Sequence, residues 1–177
     1  PPALQNIFSA IQEELPIAFA VAQHMPADFT RAFAERLNRF SALTIREAET
    51  GDIVKPGQVL IAPGGKNLEF FSQDDKIIAT VSEPQDHQRY LPSVDKLFAS
   101  SAALFGDRVL GVVLTGMGND GAMGTREIKT AGGSVFAEAE ESCVVFGMPK
   151  EAIATGLVER IVPLPQVCKE ILQFCGY

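Results

Sequence analysis

Only two histidines occur among the 177 residues, and one of them stands where a strand should end. Ile17–Ala22 is a short, wholly apolar run, the pattern of a strand buried on both faces. Gln23-His24-Met25-Pro26 follows it directly. A second apolar run, Val109–Thr115, leads into Gly116-Met117-Gly118-Asn119-Asp120-Gly121. A histidine and a carboxylate in two strand-end loops can share acid–base chemistry. The carboxylate orients the imidazole and stabilises its cation, and the other ring nitrogen can then take a proton from a nucleophile. His24 alone reads more readily as a hydrogen-bonded loop residue than as a catalytic one. If it is paired with Asp120, an imidazole nitrogen should lie about 2.6–3.2 Å from a carboxylate oxygen.

The glycine-rich loop supports a rival reading. Gly116-x-Gly118-x-x-Gly121 follows a strand, opens a helix and has Glu138 at the end of the next strand, which is the dinucleotide-binding pattern. Asp120 stands against it, since a carboxylate beside the third glycine repels a pyrophosphate. Ser93, in Pro92-Ser93-Val94-Asp95, lacks the flanking glycines of a strained nucleophile turn and reads as a helix N-cap. His87 lies in a polar connection and reads as solvated. Phe29, Phe33 and Phe40 read as core packing at helical spacing.

The elements that must carry these loops alternate along the chain. Leu4, Ile7, Phe8 and Ile11 share one helical face, and Phe29, Phe33, Leu37 and Phe40 form a second stripe. Leu43–Ala48 reads as a strand. Val59–Ala62, Leu68–Phe71 and Lys76–Val81 read as short, hairpin-like antiparallel strands. Val94, Leu97, Phe98 and Ala102 mark a helix. After Val109–Thr115 come a helix ending at Gly132-Gly133, a strand at Ser134–Ala137, and a short helix at Glu151–Thr155. A strand at Leu157–Val162 and a helix at Pro165–Phe174 close the chain. The expected fold class is a doubly wound α/β domain: a mostly parallel sheet, helices on both faces, and an antiparallel hairpin region around residues 59–81. Ligands of such sheets sit at the carboxyl ends of the strands, where His24 and Asp120 are.

Composition narrows the function. Lys and Arg number 15 against 22 Asp and Glu, a net charge of −7 without a basic run, which argues against a nucleic-acid partner. The apolar runs are far too short to cross a bilayer. Three cysteines with no Cys-x-x-Cys pair give neither a disulfide framework nor a zinc site, and reduced thiols fit a cytoplasmic protein. No metal or cofactor is expected.

Taken together, the segments resemble the catalytic domain of the chemotaxis receptor methylesterases, the CheB family. The resemblance rests on Gln23-His24-Met25-Pro26 with Phe29-Thr30, Pro56-Gly57 and Ile61-Ala62-Pro63-Gly64-Gly65. It extends through Pro92-Ser93-Val94-Asp95 with Leu97-Phe98, Leu114–Gly121, Ser142-Cys143 and Gly147-Met148-Pro149. The pieces occur in the family's order over nearly the whole chain. The resemblance implies a single catalytic domain over residues 1–177 that hydrolyses glutamate γ-methyl esters, and can deamidate glutamines, on the cytoplasmic region of methyl-accepting receptors. It assigns His24 as general base, Asp120 as the residue that orients it, and the Met117 backbone N–H as an oxyanion donor.

The same resemblance puts the nucleophilic serine in a Gly-x-Ser-x-Gly-Gly turn immediately before the position of Pro1. That turn, the strand leading into it and the family's receiver domain are outside these residues. A chain beginning at Pro1 is therefore expected to lack turnover, and the upstream segment to restore it. Leu91 and Asn67 stand where the family commonly has Arg and His. Two other classes compete with this reading: a dinucleotide-binding protein, and a non-catalytic domain that binds the receptor or a regulatory partner.

Overall fold

A computed structural model describes all residues from Pro1 to Tyr177. The strands are β1 (Phe19–Val21), β2 (Thr44–Glu47), β3 (Gln58–Ile61), β4 (Asn67–Gln73), β5 (Lys76–Ser82), β6 (Leu110–Val113), β7 (Ser134–Glu138) and β8 (Arg160–Val162). The helices are α1 (Pro2–Ser9), α2 (Thr30–Asn38), α3 (Val94–Phe105), α4 (Ala122–Thr130), α5 (Met148–Ala154) and α6 (Leu164–Phe174). Hydrogen bonding resolves the parallel strands into two ladders, β1-β3-β2 and β6-β7-β8, with β4 and β5 paired as an antiparallel hairpin.

The two-residue period of a strand explains how one chain covers both faces. Val59 and Ile61 of β3 enter a core with Leu4, Ile7 and Phe8 of α1, Phe33 and Leu37 of α2, and Val167 and Ile171 of α6. Leu60 and Ala62 point the other way, toward Leu68 and Phe70 of the hairpin and Leu97 of α3. In β7, Phe136 joins the first core, while Val135 meets Val94 of α3, Ile128 of α4 and Met148 and Ala152 of α5. Residues of both ladders thus share the α1–α2–α6 core, and α3, α4, α5 and the hairpin cover the opposite side. Each fully buried Leu or Ile here is worth roughly 1.5–3 kcal/mol of transfer free energy.

Two expectations are corrected. Val59–Ala62 is not part of the antiparallel region, because β3 runs parallel to both neighbours, with Val21 opposite Ile61 and Ile45 opposite Val59. The antiparallel pair spans only Asn67–Ser82. The uninterrupted apolar run Val59–Ala62 was the signal of a strand covered on both faces. The aromatic stripe also fails at its ends. Phe33 is buried, but Phe29 and Phe40 are exposed, since each lies outside α2 and the helical period does not carry its side chain inward. No helix is long and apolar enough to cross a membrane.

Candidate active site

His24 is carried by the loop after β1. That loop is held close to the loop after β3, where a Cβ on Gly64 would fall 2.1 Å from the Pro26 carbonyl oxygen. The Gly64 N–H in turn donates to Thr30 Oγ1 at 2.8 Å, and Thr30 donates to Glu47 at 2.6 Å. A fully buried threonine therefore fixes the backbone on which the histidine loop rests.

Asp120 lies in the loop after β6 and is 1% exposed. Its Oδ2 is 2.7 Å from His24 Nε2 and accepts the Val94 N–H at 2.8 Å, while Oδ1 accepts the Asp95 N–H at 2.9 Å. Burial pushes the carboxyl up, but the bonds from His24 and the two backbone donors outweigh it and hold Asp120 below the usual carboxylate range. An ionised carboxylate only accepts, so His24 Nε2 carries the proton. In the neutral ring Nδ1 is then a free acceptor, and it makes no hydrogen bond to protein.

Asp95 mirrors this arrangement. Its Oδ1 accepts the Gly121 N–H at 2.9 Å and the Gly124 N–H at 2.7 Å, so it caps α4 while Asp120 caps α3. Burial raises the Asp95 carboxyl, and the neighbouring Asp120 charge adds to the rise against the two backbone bonds. The two aspartates have opposite linkage to pH. Ionised Asp120 adds stability above the unfolded carboxylate value, and ionised Asp95 subtracts it. Ser93 serves as the N-cap of α3, with Oγ accepting the Lys96 N–H at 3.1 Å. His87 is exposed.

The Met117 loop is fixed by its neighbours on both sides. Thr115 N–H donates to the fully buried Glu138 at 2.8 Å, and Gly116 N–H to Val145 O at 3.0 Å. Gly116 O accepts the Gly147 and Met148 N–H groups. The Met117 N–H itself donates to no protein acceptor, and its side chain is exposed. Glu138 is thus a strut for this loop.

A different carboxylate from Asp120 opposes a dinucleotide here. Asp120 faces His24 and α3, not the mouth of the glycine loop. The carboxylate that occupies the amino end of α4, where a pyrophosphate would be held, is Asp95. Calorimetry with NAD and NADP is expected to show no binding, and a micromolar Kd for either would contradict this.

The fold and the site define a parallel α/β protein that presents a histidine–carboxylate pair and a free backbone N–H at the carboxyl ends of its strands. The CheB methylesterase family profile matches residues 1–171, and the chain belongs to that family. It is 57% identical over 176 residues to protein-glutamate methylesterase/protein-glutamine glutaminase 3 of Geobacter sulfurreducens, covering 99% of this chain and 47% of the relative. It is 47% identical over 167 residues to protein-glutamate methylesterase/protein-glutamine glutaminase 1 of Myxococcus xanthus, covering 94% of this chain and 48% of the relative. The chain thus spans about half the length of these relatives. The crystal structure of the Thermotoga maritima CheB methylesterase catalytic domain superposes with a TM-score of 0.94 at 37% identity, over 98% of this chain and 92% of that one.

The site residues named from the sequence are His24, Asp120 and Met117, and the structure places the first two in contact and the third in the same loop as Asp120. Sequence reasoning missed Tyr90, Asp95 and Asn119 as neighbours of that pair. Asp95 was within the Pro92–Asp95 block, but no periodicity shows that its carboxylate crosses to α4.

Proposed function

We propose that these residues form the hydrolytic domain of a protein-glutamate methylesterase, with glutaminase activity on particular glutamines. Its substrate is the helical cytoplasmic region of a chemotaxis receptor, and its location is cytoplasmic. The observation that carries the reading is the 2.7 Å contact between His24 Nε2 and Asp120, which leaves Nδ1 free to accept a proton. Family membership and relatives named for this activity support it.

In this mechanism a serine oxygen, supplied by a Gly-x-Ser-x-Gly-Gly turn ahead of Pro1, attacks the ester carbonyl carbon. His24 Nδ1 takes the serine proton, and Asp120 stabilises the imidazolium without itself accepting a proton. The Met117 N–H donates to the developing oxyanion. Collapse breaks the bond to the methoxy group, which leaves as methanol with the proton from His24. Water then attacks the acyl-serine by the same route, releasing the glutamate carboxylate and restoring the hydroxyl.

The test is an assay of methanol release from a receptor helical segment bearing glutamate γ-methyl esters, using a polypeptide that joins residues 1–177 to the serine turn. One methanol and one free γ-carboxylate are expected per ester cleaved. Absence of both from the folded protein would overturn the reading.

A further inference from the structure

Tyr90 belongs to the connection between β5 and α3, yet its ring stacks, parallel and laterally offset, against the His24 imidazole. The centroids are 5.3 Å apart and the planes differ by 9°. The phenol is tied to the other half of the site: its Oη donates to Asn119 Oδ1 at 3.0 Å and accepts the Asn119 N–H at 3.2 Å. Asn119 immediately precedes Asp120. One tyrosine therefore joins the histidine ring to the loop that carries its carboxylate partner.

The geometry explains why both contacts are needed. With one end tethered through Cβ and Nε2 held by its hydrogen bond, the imidazole can still rock about the line joining those two points. Offset parallel stacking restrains the ring plane, and so the direction in which Nδ1 points. The bonds to Asn119 make the stack move with the Asp120 loop. Gly118 is shaped for this contact. It has φ +91°, and a Cβ there would lie 2.2 Å from Tyr90 Oη, so a larger residue would push the tyrosine away.

We propose that Tyr90 is a positioning residue, a clamp that holds the His24 ring in the plane needed for proton transfer through Nδ1. The kinetic part rests on the methylesterase reading; the positioning part does not, and the experiment separates them. In the 177-residue chain, the proton between His24 Nε2 and Asp120 is followed by NMR as a downfield resonance. Y90L removes the stack, and Y90F keeps the ring but loses both bonds to Asn119. Y90L is expected to broaden that resonance into exchange with water, and Y90F to broaden it less, with both variants still folding cooperatively in a thermal melt.

In the polypeptide with the serine turn, Y90L is expected to lower kcat about 10- to 100-fold with KM within about twofold. Y90F is expected to lower kcat by about two- to tenfold. A resonance as sharp in folded Y90L as in the unsubstituted chain would overturn the clamp, whatever the esterase assay shows. An unchanged kcat in Y90L would overturn it as well. A broadened resonance in a protein without ester hydrolysis would support the clamp and count against the methylesterase reading.

Discussion

Replacing His24 with alanine, in the polypeptide that carries the serine turn, is expected to lower kcat for methyl ester hydrolysis on the order of 10⁶-fold. In the proposed mechanism the imidazole handles the proton in every step, so the expected loss is large. Without it the serine attacks only as a neutral hydroxyl and methoxide leaves unprotonated. The fold should survive, because His24 is on a loop and Asp120 keeps its bonds from the Val94 and Asp95 N–H groups. KM should change little, since a general base contributes mainly in the transition state. Methanol release and a thermal melt are measured on the same preparation, and a kcat loss under about tenfold in the folded variant would contradict the assigned role.

The second large effect is expected from Asp120→Asn, a kcat loss of roughly 10³–10⁴-fold. The amide has one oxygen for three donors. If its NH₂ takes the Oδ2 position, it donates to Nε2 and forces the proton onto Nδ1, the nitrogen needed as base. It also then faces the Val94 N–H, donor against donor. If the NH₂ takes the Oδ1 position, it faces the Asp95 N–H. Either way a buried donor loses its acceptor, at a cost of about 1–3 kcal/mol in stability.

That stability loss has a sign in pH. Asp120 is held below the usual carboxylate range, so its contribution is complete above the unfolded value of about 3.9 and is lost as pH falls through the lower folded value. Urea denaturation should therefore show a gap between the unsubstituted chain and Asp120→Asn at pH 7 that narrows below about pH 4. A gap independent of pH would place the effect elsewhere than in the carboxylate charge.

Much of this site was legible because the signals were local. An apolar run ending at Ala22, and another ending near Thr115, each point to a loop at a strand's carboxyl end, and that is where His24 and Asp120 lie. The β3 direction differs from the expected hairpin although the run Val59–Ala62 is apolar throughout. Proximity to the Gly64-Gly65 turn suggested a hairpin, whereas the pairing was decided by distant Val21 and Ile45. Phe29 and Phe40 lie past the ends of α2, where helical spacing no longer predicts burial. The crossed caps of Asp95 and Asp120 depend on how α3 and α4 meet, and the Tyr90 stack on how the connections after β1 and β5 meet. Contacts between residues about 25 or more positions apart leave no periodic trace.

In the proposed mechanism His24 and Asp120 activate a serine hydroxyl carried by the turn ahead of Pro1. The direct test compares methanol release from methylated receptor by the folded chain beginning at Pro1 and by the folded polypeptide with the serine turn restored. The expected result is sustained turnover only in the longer polypeptide, with the shorter one left at most with the residual catalysis of binding and the oxyanion donor, roughly 10³–10⁴ over water. Full turnover by the folded Pro1 chain would contradict the claim and place the nucleophile within these residues, with Ser93 the first to be replaced.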